Sequence, residues 1–514
     1  MADYTQKQIE YGTAKDTYFR LEEDREEQIW EDAAELTLPY LVPPDGIRDM
    51  QFLPTPYNSI GPSAVNALSS KLLLALVPPT GAFFRLLPDA DKVGNMSKEE
   101  EIQLDQELSK IENDVIEYIN IKALRVPINE ALKYLIVTGN VALYKIPGGS
   151  YKVFSPKQYV VERDYAGNLV RMSIRERISK KVLPIKVLEQ IEADEETDQE
   201  ANKEAEEYDI YTMVVRTSLN KITVWQEIAG IVIEGTEKSY DEEDNPYIVL
   251  RWTTAPNDDY GRGLVEQYLG DFRSLEGLTQ TIVQGAGIQA RHLFGVRPGS
   301  SVKIEDLNNA TNGDFVMGDL EREISTLQIN KTADLQVPLQ LMQGLEQRIS
   351  KAFLSLSGQI RDSERTTATE VRATVNELEA ALGGVFSILA AELQTPMVAQ
   401  ILKELSPEAL KITTVSITTG VSAISREKDF QNLNVMLQSM AQLGPEVLAK
   451  YLDVGAYLAQ VATSLGIDPY KLVKSPEQIQ AEEEQQMRQE QQQMAAQGMA
   501  NAAEAQASQS PGQG

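Results

Sequence analysis

Residues 264–291, LVEQYLGDFRSLEGLTQTIVQGAGIQAR, carry the pattern that most strongly determines the fold of this chain of 514 residues. Apolar side chains recur every three or four positions from Leu264 to Ile282, which is the period of an amphipathic helix. A helix that continues to Arg291 is about 40 Å long at ~1.5 Å per residue. We therefore predict one long helix here and interpret the rest of the chain around it.

A second apolar seam with the same spacing runs from Met342 to Leu356 and predicts a partner helix over about 334–356. Residues 293–331 lie between the two helices, break the helical period and hold several glycines beside short apolar pieces. We interpret them as a small insertion that contains β-structure. The sequence thus predicts a helical hairpin with a compact module at its tip.

The segments before the hairpin have two different periods. Between 141 and 254 the apolar period is two, so we predict strands there, with a hairpin turn at 165–168. The other predicted elements are helices over 17–41, 62–76, 97–119 and 126–137 and a short strand over 83–87.

The segments after the hairpin are predicted to be helical. A helix over 367–405 is expected to bend at the adjacent Gly383 and Gly384 and again at Pro396. Further helices are predicted over 425–472. From about residue 481 the Gln-, Ala- and Met-rich composition predicts a fraying helix and a disordered tail.

Composition and charge exclude several classes of protein. The chain has 48 Lys and Arg against 77 Asp and Glu, a formal net charge of −29, so it is not a uniformly basic nucleic-acid binder. It has no cysteine and one histidine, His292, which excludes disulfides, thiolate metal sites and multi-histidine zinc sites. Phosphate-loop, zinc-protease and serine-hydrolase signatures are absent from the sequence. We expect no enzyme activity, no cofactor and no metal, and a packing role for His292.

The sequence predicts a soluble, intracellular protein with no membrane partner. The first ten residues are polar and do not form the apolar run of a signal peptide. The most apolar stretch, 65–79, is too short to span a bilayer and is interrupted by Lys71.

Three charged features have more than one interpretation. Residues 189–209 hold eleven acidic side chains and one lysine, which is typical of a solvated loop or exposed helix and less often of a site for a cation or a basic partner. Gly261-Arg262-Gly263 opens a helix, which suits a tight turn or an anion site. Residues 277–304 contain no acid but three basic side chains, which indicates a solvated loop or a contact with an acidic partner surface or nucleic acid. These basic residues are Arg291, Arg297 and Lys303.

Several motifs together resemble one protein family. The motifs are TPYNSIG at 55–61, SSKLLLALVPP at 69–79, YGR at 260–262, YLGDxRSLE at 268–276, NGDFV at 312–316, ELExxLGGVxSIL at 377–389 and ELQxP at 392–396, followed by the Gln-, Met- and Ala-rich tail. Through them the chain resembles the head-to-tail connector, or portal, proteins of short-tailed bacteriophages of the autographivirus type. The resemblance covers nearly the whole chain and is weakest over 189–209.

The resemblance implies an α+β portal fold assembled as a ring of twelve identical subunits. Each subunit of this fold has an α/β wing, a two-helix stem, a small β-containing clip, a channel loop, a long bent helix and a helical crown. The implied boundaries are wing 1–262, first stem helix 263–291, clip 292–332, second stem helix 333–356, channel loop 357–367, bent wing helix 368–406, crown 407–484 and disordered tail 485–514.

The implied function is that of a structural ring at one capsid vertex of the virion, assembled in the host cytoplasm. Double-stranded DNA passes through the ring during genome packaging and ejection. The implied partners are further copies of the chain, double-stranded DNA bound without sequence preference, major capsid and scaffolding proteins, the terminase, the tail adaptor or nozzle, and internal core proteins. Two alternatives stay open: an acidic helical scaffold or adaptor that binds only proteins, and a phosphate-handling enzyme built on Gly261–Gly263.

This interpretation assigns three groups of site residues. The residues expected at the DNA channel are Arg361, Arg365, Lys351 and Arg348. The residues expected to dock the terminase or tail adaptor at the clip are Arg291, Arg297 and Lys303. The residues expected to act as structural hinges are Gly383, Gly384, Gly261 and Gly263. Acidic walls elsewhere in the channel would repel phosphates and keep DNA free to slide.

Overall fold

The computed structural model divides the chain into two compact units. One unit holds residues 1–79 and 117–411, and the other holds residues 80–116 and 412–514. The structure describes residues 6–45, 53–79, 83–89, 98–183, 187–188, 207–218, 220–254, 256, 258–289, 293–299, 301, 303–309, 311, 317, 322, 324–327, 332–355, 378 and 381–417.

Helices and strands alternate in blocks along the described residues. The α-helices are α1 Gln6–Tyr11, α2 Ala14–Glu22, α3 Glu27–Glu35, α4 Ile60–Leu76, α5 Lys98–Ile121, α6 Arg125–Thr138, α7 Leu264–Gln267, α8 Leu269–Gln289, α9 Ile304–Asn309, α10 Thr332–Ala352, α11 Gly384–Leu389, α12 Thr395–Leu405 and α13 Pro407–Ile412. The strands are β1 Phe84–Pro88, β2 Asn140–Lys145, β3 Tyr151–Phe154, β4 Tyr159–Arg163, β5 Leu169–Ser179, β6 Glu207–Ser218, β7 Lys221–Ile228, β8 Ile231–Val232, β9 Lys238–Asp241, β10 Tyr247–Arg251, β11 Leu293–Val296, β12 Ile324–Leu327 and β13 Thr413–Ile417.

The prediction of a single helix over 17–41 is wrong, because α2 and α3 are separate helices. In the break between them Arg25 turns inward, and its Nη1 donates to the Lys157 carbonyl at 2.7 Å. The Arg25 guanidinium also lies over the ring of Tyr18, 5.3 Å from its centre. The break therefore places a charged side chain in a buried tertiary contact that a continuous helix would not allow.

The predicted strands between 141 and 254 form two antiparallel sheets. One has the strand order β4-β5-β6-β7-β8, with β9 also paired to β7, and the other has the order β10-β2-β3. The predicted turn at 165–168 is confirmed. Gly167 has a φ of +83°, and Asp164 Oδ1 accepts from the backbone N–H groups of Ala166 and Asn168. A carboxylate that binds the backbone two residues onward stabilises such a turn without help from the rest of the fold.

Helix α2 covers one face of the larger sheet. One core cluster consists of Ala14, Tyr18, Leu21, Val160, Tyr211, Met213, Val215 and Trp225. The fully buried Glu227 accepts from the Ala14 N–H at 2.8 Å and from Trp225 Nε1–H at 2.6 Å. Burial raises the pKa of Glu227, and the hydrogen bonds from Trp225 and Ala14 oppose this rise. These bonds fix the start of α2 to strand β7.

The two predicted interruptions of the helix 367–405 are present in its described part. Gly383 has a φ of +43° immediately before α11. A π-helical turn, Ala390–Gln394, separates α11 from α12, and Pro396 lies in the first turn of α12. Proline has no backbone N–H and cannot donate to the carbonyl four residues earlier, so it interrupts regular helical bonding. In the wider turn just before it, the Thr395 N–H donates to the Ala390 carbonyl.

The segment Gly384–Leu405 is long and apolar enough, by length and composition only, to cross a membrane, with a mean hydropathy of 1.4. Half of it is buried inside the protein. Its buried side chains include Leu389, Leu393, Met397 and Ile401. Core helices pass the same test of length and composition, so this one helix among the described residues is weak evidence for a membrane span.

A buried lysine holds the C-terminal end of α12. Lys145 Nζ donates to Glu404 Oε1 at 3.1 Å and to the Gly149 carbonyl at 2.9 Å. Glu404 also accepts from the Gly148 N–H at 3.1 Å and from the Tyr118 hydroxyl. Burial raises the pKa of Glu404, but the hydrogen bonds together lower it by a larger amount. The pKa of Glu404 therefore lies below the ordinary value. The carboxylate therefore stabilises the fold above its unfolded-state pKa, and that stabilisation is lost as pH falls through its folded-state pKa.

The second unit contains an antiparallel strand pair. Strand β1 confirms the predicted strand over 83–87, and it pairs with β13. Residues 413–417 lie in the segment 407–484 predicted as a helical crown, so the helical prediction is wrong for them. Their sequence, TTVSI, is rich in β-branched residues that favour strands. The rest of that segment from 418 and the predicted tail 485–514 lie outside the described residues.

Candidate channel and docking elements

Helices α8 and α10 form the predicted hairpin, and apolar side chains join them at one end. We call this end, residues 268–275 and 345–353, the hairpin root. The fully buried ring of Phe353 lies 5.7 Å from the ring of Phe272 and 6.0 Å from that of Tyr268, centre to centre. Further buried side chains of the root are Leu275, Leu345 and Ile349. The root is thus part of the core of its unit.

The described part of the hairpin beyond the root has no comparable core. We call residues 276–287 and 336–344 the hairpin arm. None of these described residues is buried in the single chain. Apolar side chains are nevertheless exposed on both helices, with 54% of Val283, 63% of Val337 and 57% of Leu341 accessible to water. Exposed apolar side chains grouped in this way are typical of surfaces that contact another molecule.

One asparagine links both helices to the segment that precedes α4. Glu276 of α8 accepts from the backbone N–H groups of Tyr57 at 2.7 Å and of Asn58 at 3.2 Å. Asn58 Nδ2 donates to Thr279 Oγ1 of α8 at 3.2 Å and to Glu346 Oε1 of α10 at 3.0 Å. These bonds fix the spacing of the two helices just beyond the root.

The turn Gly261–Gly263 at the base of the hairpin is bound to the strands before it. The Gly261 N–H donates to Asn140 Oδ1 at 2.7 Å, and Asn140 Nδ2 donates back to the Gly261 carbonyl at 2.8 Å. The Arg262 N–H donates to the Thr253 carbonyl at 3.0 Å. An anion site would need these N–H groups free, so the structure favours a tight turn and contradicts the phosphate-binding alternative.

The glycines of this turn allow backbone segments to meet at very short range. A Cβ on Gly263 would lie 2.6 Å from the Val137 carbonyl oxygen, and a Cβ on Gly261 would lie 2.8 Å from the Gly139 carbonyl oxygen. Side chains do not fit at these positions. The hinge role of Gly261 and Gly263 stays a prediction; their observed role is close packing.

The other two predicted hinge residues lie in a different environment. Gly383 combines a φ of +43° with a ψ of −104°, a conformation that favours glycine over residues with a side chain. Gly384 begins α11, and a Cβ added to it would meet no atom within 4 Å. Their hinge role also stays a prediction.

Arginine side chains near the hairpin base form ion pairs with carboxylates of α3 and of neighbouring residues. Arg262 Nη2 lies 2.6 Å from Glu26 Oε1, and Arg262 Nη1 lies 2.9 Å from Glu266 Oε1. Arg273 of α8 forms an ion pair with Asp32. Ion pairs thus connect the turn at the base to Glu26 and Glu266, and the first helix of the hairpin to Asp32 of α3.

Three carboxylates, of Glu27, Glu31 and Asp45, come close enough together to hold a metal ion. Lys157 Nζ lies among them, 2.7 Å from Glu27, 3.1 Å from Asp45 and in an ion pair with Glu31. Burial lowers the pKa of Lys157, but the three carboxylates together raise it by a larger amount. The pKa of Lys157 is therefore above the ordinary value. The ammonium group therefore supplies the positive charge that this cluster requires.

Two of the four predicted channel residues lie on the described part of α10. Arg348 is 62% exposed, with its Nη1 at 3.3 Å from Asp271 Oδ1, and Lys351 is exposed in the last turn. Residues three apart share one face of a helix, so the two side chains lie near each other. Arg361, Arg365 and the predicted loop 357–367 lie outside the described residues.

The predicted insertion contains β-structure, as expected. Strands β11 and β12 pair antiparallel, and α9 lies between them in the sequence. Of the predicted docking residues, Arg297 and Lys303 are exposed. Arg291 and the single histidine, His292, lie outside the described residues.

Sequence reasoning missed the side chains that fix the hairpin to the rest of the unit. Asn58 lies in the TPYNSIG motif, but its partners on α8 and α10 are more than 200 residues away. Lys71 was interpreted only as an interruption of an apolar stretch. Lys71 is the one charged residue of α4, and a lone charge in an apolar helix is the signal that could have indicated a buried contact.

Comparison with known proteins gives a consistent result over most of the chain. The sequence profile described as "Bacteriophage head to tail connecting protein" matches residues 12–473. The portal protein of Escherichia phage T7 is 34% identical over 483 residues, covering 91% of this chain and 89% of that protein. The portal protein of Enterobacteria phage T3 is 34% identical over 495 residues, covering 94% and 92%.

A further relative and a solved structure extend the comparison. The portal protein of Pseudomonas phage phiKMV is 32% identical over 500 residues, covering 91% of this chain and 93% of that protein. Among solved structures, a chain from the neck of an empty gene transfer agent particle aligns with 80% of this chain and 91% of its own length, at 10% identity and a TM-score of 0.36.

Replacement of Gly263 by alanine tests the close packing at the hairpin base. We expect Gly263→Ala to lower the free energy of unfolding by about 1–3 kcal/mol, because the new methyl group overlaps the Val137 carbonyl. Gly270→Ala adds the same group to α8 in open space and should leave stability unchanged or raise it by up to ~1 kcal/mol. Denaturant unfolding of both variants measures the difference, and equal midpoints would contradict the assignment.

Proposed function

The chain belongs to the family of bacteriophage head-to-tail connecting proteins, and on this basis we propose that twelve copies of it form a closed ring around a channel for double-stranded DNA. The profile match over 12–473 and the identity to the T7 and T3 portal proteins confirm the family that the motifs predict. Proteins of this family are structural components of the virion at the capsid vertex where head and tail join.

The exposed hairpin arm is the observation that carries the proposed ring. Val283, Val337 and Leu341 are more than half exposed in the single chain, on two helices that have no buried residue along the described arm. A repeated head-to-tail contact between copies buries such a surface on every subunit and closes into a ring when the rotation allows. The arm is therefore the surface that we assign to contacts between neighbouring subunits.

The proposed ring gives each segment of the subunit a structural role. We assign residues 263–291 and 333–356 to the stem, 292–332 to the clip and 357–367 to the loop that faces the channel. The wing comprises 1–262 together with the bent helix 368–406, the crown comprises 407–484, and 485–514 form a tail. Strand pairing between β11 and β12 and the root contacts between α8 and α10 support the clip and stem assignments.

The charge of the chain suits a conduit through which DNA slides. A net charge of −29 on each subunit repels phosphates from most surfaces, and salt limits this repulsion to ~8 Å. Against this background Arg361, Arg365, Arg348 and Lys351 would form collars of positive charge, which contact phosphates without reading sequence. The proposed role is structural and requires no catalytic residue, no cofactor and no metal.

The clip provides the proposed docking surface. Arg297 and Lys303 are exposed, and together with Arg291 they lie in a window of the sequence without acidic residues. We propose that this window binds the terminase during genome packaging and the tail adaptor or nozzle afterwards. Major capsid and scaffolding proteins and the internal core proteins complete the proposed partners, and assembly is proposed to take place in the host cytoplasm.

A double substitution in the hairpin arm tests the subunit interface. We expect Val337→Asp with Leu341→Asp to abolish the ring, because a carboxylate buried without a partner at an interface costs ~3 kcal/mol or more. Sedimentation velocity measures the assembly. Tyr165→Asp, at a fully exposed turn, is the matched control and should assemble normally. Rings formed by the double variant as readily as by the control would contradict the interface.

A second double substitution tests the arginine collars. Particles that carry Arg361→Ala with Arg365→Ala should assemble rings but retain packaged DNA poorly, because twelvefold contacts to phosphate are lost at the channel loop. The DNA content of purified particles measures retention. Normal DNA content in these particles would contradict the proposed role of the loop.

Charge reversal in the clip tests docking. Arg297→Glu with Lys303→Glu should leave ring formation intact and weaken terminase binding at least tenfold, because an acidic partner surface would then face like charges. Lys221→Glu, an exposed reversal on strand β7, serves as the control. Terminase binding that is unchanged by the clip variant at physiological salt would contradict the assignment.

A further inference from the structure

Helix α4 buries a single charged side chain. Its sequence, IGPSAVNALSSKLLLAL, contains no charged residue except Lys71, and that residue is 5% exposed. Lys71 Nζ donates to the backbone carbonyl of Leu354 at 2.7 Å. Burying an ammonium group is unfavourable unless hydrogen bonds compensate for the lost water. The contact with Leu354 is therefore a reason for a lysine, rather than a leucine or methionine, at this position.

Leu354 lies at the point where helix α10 ends, and its backbone conformation is unusual. Its φ is +55°, in the left-handed region where glycine is normally found. The Leu354 N–H donates to the Lys351 carbonyl at 3.2 Å, and the Ser355 N–H donates to the Ser350 carbonyl at 2.8 Å. These two bonds form the Schellman ending of a helix, with leucine in place of glycine at the left-handed position.

The helix side of this turn is fixed by the hairpin root. Phe353, the residue before Leu354, is fully buried and contacts the rings of Tyr268 and Phe272. A left-handed conformation at a residue with a side chain is disfavoured by an amount that corresponds to a roughly tenfold change in population. The turn therefore needs a contact that holds it, and the bond from Lys71 acts on the carbonyl of the strained residue itself.

We propose that Lys71 is a positioning residue for the channel: by binding the Leu354 carbonyl it holds the left-handed turn and so sets the direction in which the chain continues beyond Ser355. The functional part of this proposal rests on the proposed function, in which the following loop contacts DNA. Lys71 is buried, so its proposed action is on the backbone at the end of α10 and not a contact of its own with DNA.

Second-site substitutions distinguish this role from that of a lysine that merely fills the core. Lys71→Met removes the hydrogen bond and keeps a side chain of similar length. Leu354→Gly removes the penalty for the left-handed conformation, because glycine adopts it freely. Leu354→Ala removes the same leucine side chain but retains the penalty, and it is the matched control.

Hydrogen exchange on the assembled full-length protein tests the turn directly. We expect Lys71→Met to speed exchange of the Leu354 and Ser355 amides about tenfold, which matches the cost of the left-handed conformation. Lys71→Met with Leu354→Gly should restore slow exchange, whereas Lys71→Met with Leu354→Ala should not. Unchanged exchange in Lys71→Met, or equal rescue by glycine and alanine, would overturn the proposal. If Lys71→Met does not assemble, Lys71→Leu gives the same comparison with a shorter side chain that also has no hydrogen-bond donor.

The DNA content of particles tests the functional part. Lys71→Met particles should lose packaged DNA, and the added Leu354→Gly should restore it where Leu354→Ala does not. Particles with Arg361→Ala and Arg365→Ala are measured beside them. Normal retention by the arginine variant refutes the proposed loop function, while the exchange result still decides the role of Lys71. If the arginine variant does lose DNA, faster exchange in Lys71→Met particles without any loss of DNA overturns the positioning role.

Discussion

In the described part of the hairpin, the fully buried apolar side chains of the two helices all lie at the root, and the anchoring of the hairpin depends on this constraint. Phe353 lies between Tyr268 and Phe272 there, whereas Val283, Val337 and Leu341 remain exposed along the arm. A pair of helices without its own core needs either a neighbour or a strong anchor. The described chain supplies the anchor at the root and leaves the arm for the neighbour.

Polar contacts add to the apolar anchor at the root. Asn58 and Glu276 connect the segment before α4 to both helices, and Arg262 and Arg273 bind carboxylates supplied by α3 and the residue before it. Hydrogen bonds depend on direction, so those of Asn58 and Glu276 constrain how the hairpin is held within its unit. The glycines at 261 and 263 complete the anchor by letting backbone segments meet at short range.

The sequence predicted those features that depend on local periodicity. The hairpin, the strands between 141 and 254 and the turn at 165–168 follow from patterns within a few residues, and the family follows from motifs spread along the chain. The contacts of Asn58 and the pairing of β1 with β13 join residues more than 200 positions apart, and no local pattern encodes them. The break between α2 and α3 was missed for the same reason, because Arg25 finds its carbonyl partner at Lys157.

The proposed ring requires that identical neighbours bury the exposed arm of every subunit. The light-scattering mass of the purified protein, with particle images from the same peak, tests this requirement without any substitution. Twelve copies of 57.1 kDa predict roughly 685 kDa and a particle with a central hole. A compact particle of monomer mass, also in the presence of scaffolding protein, would contradict the closed ring.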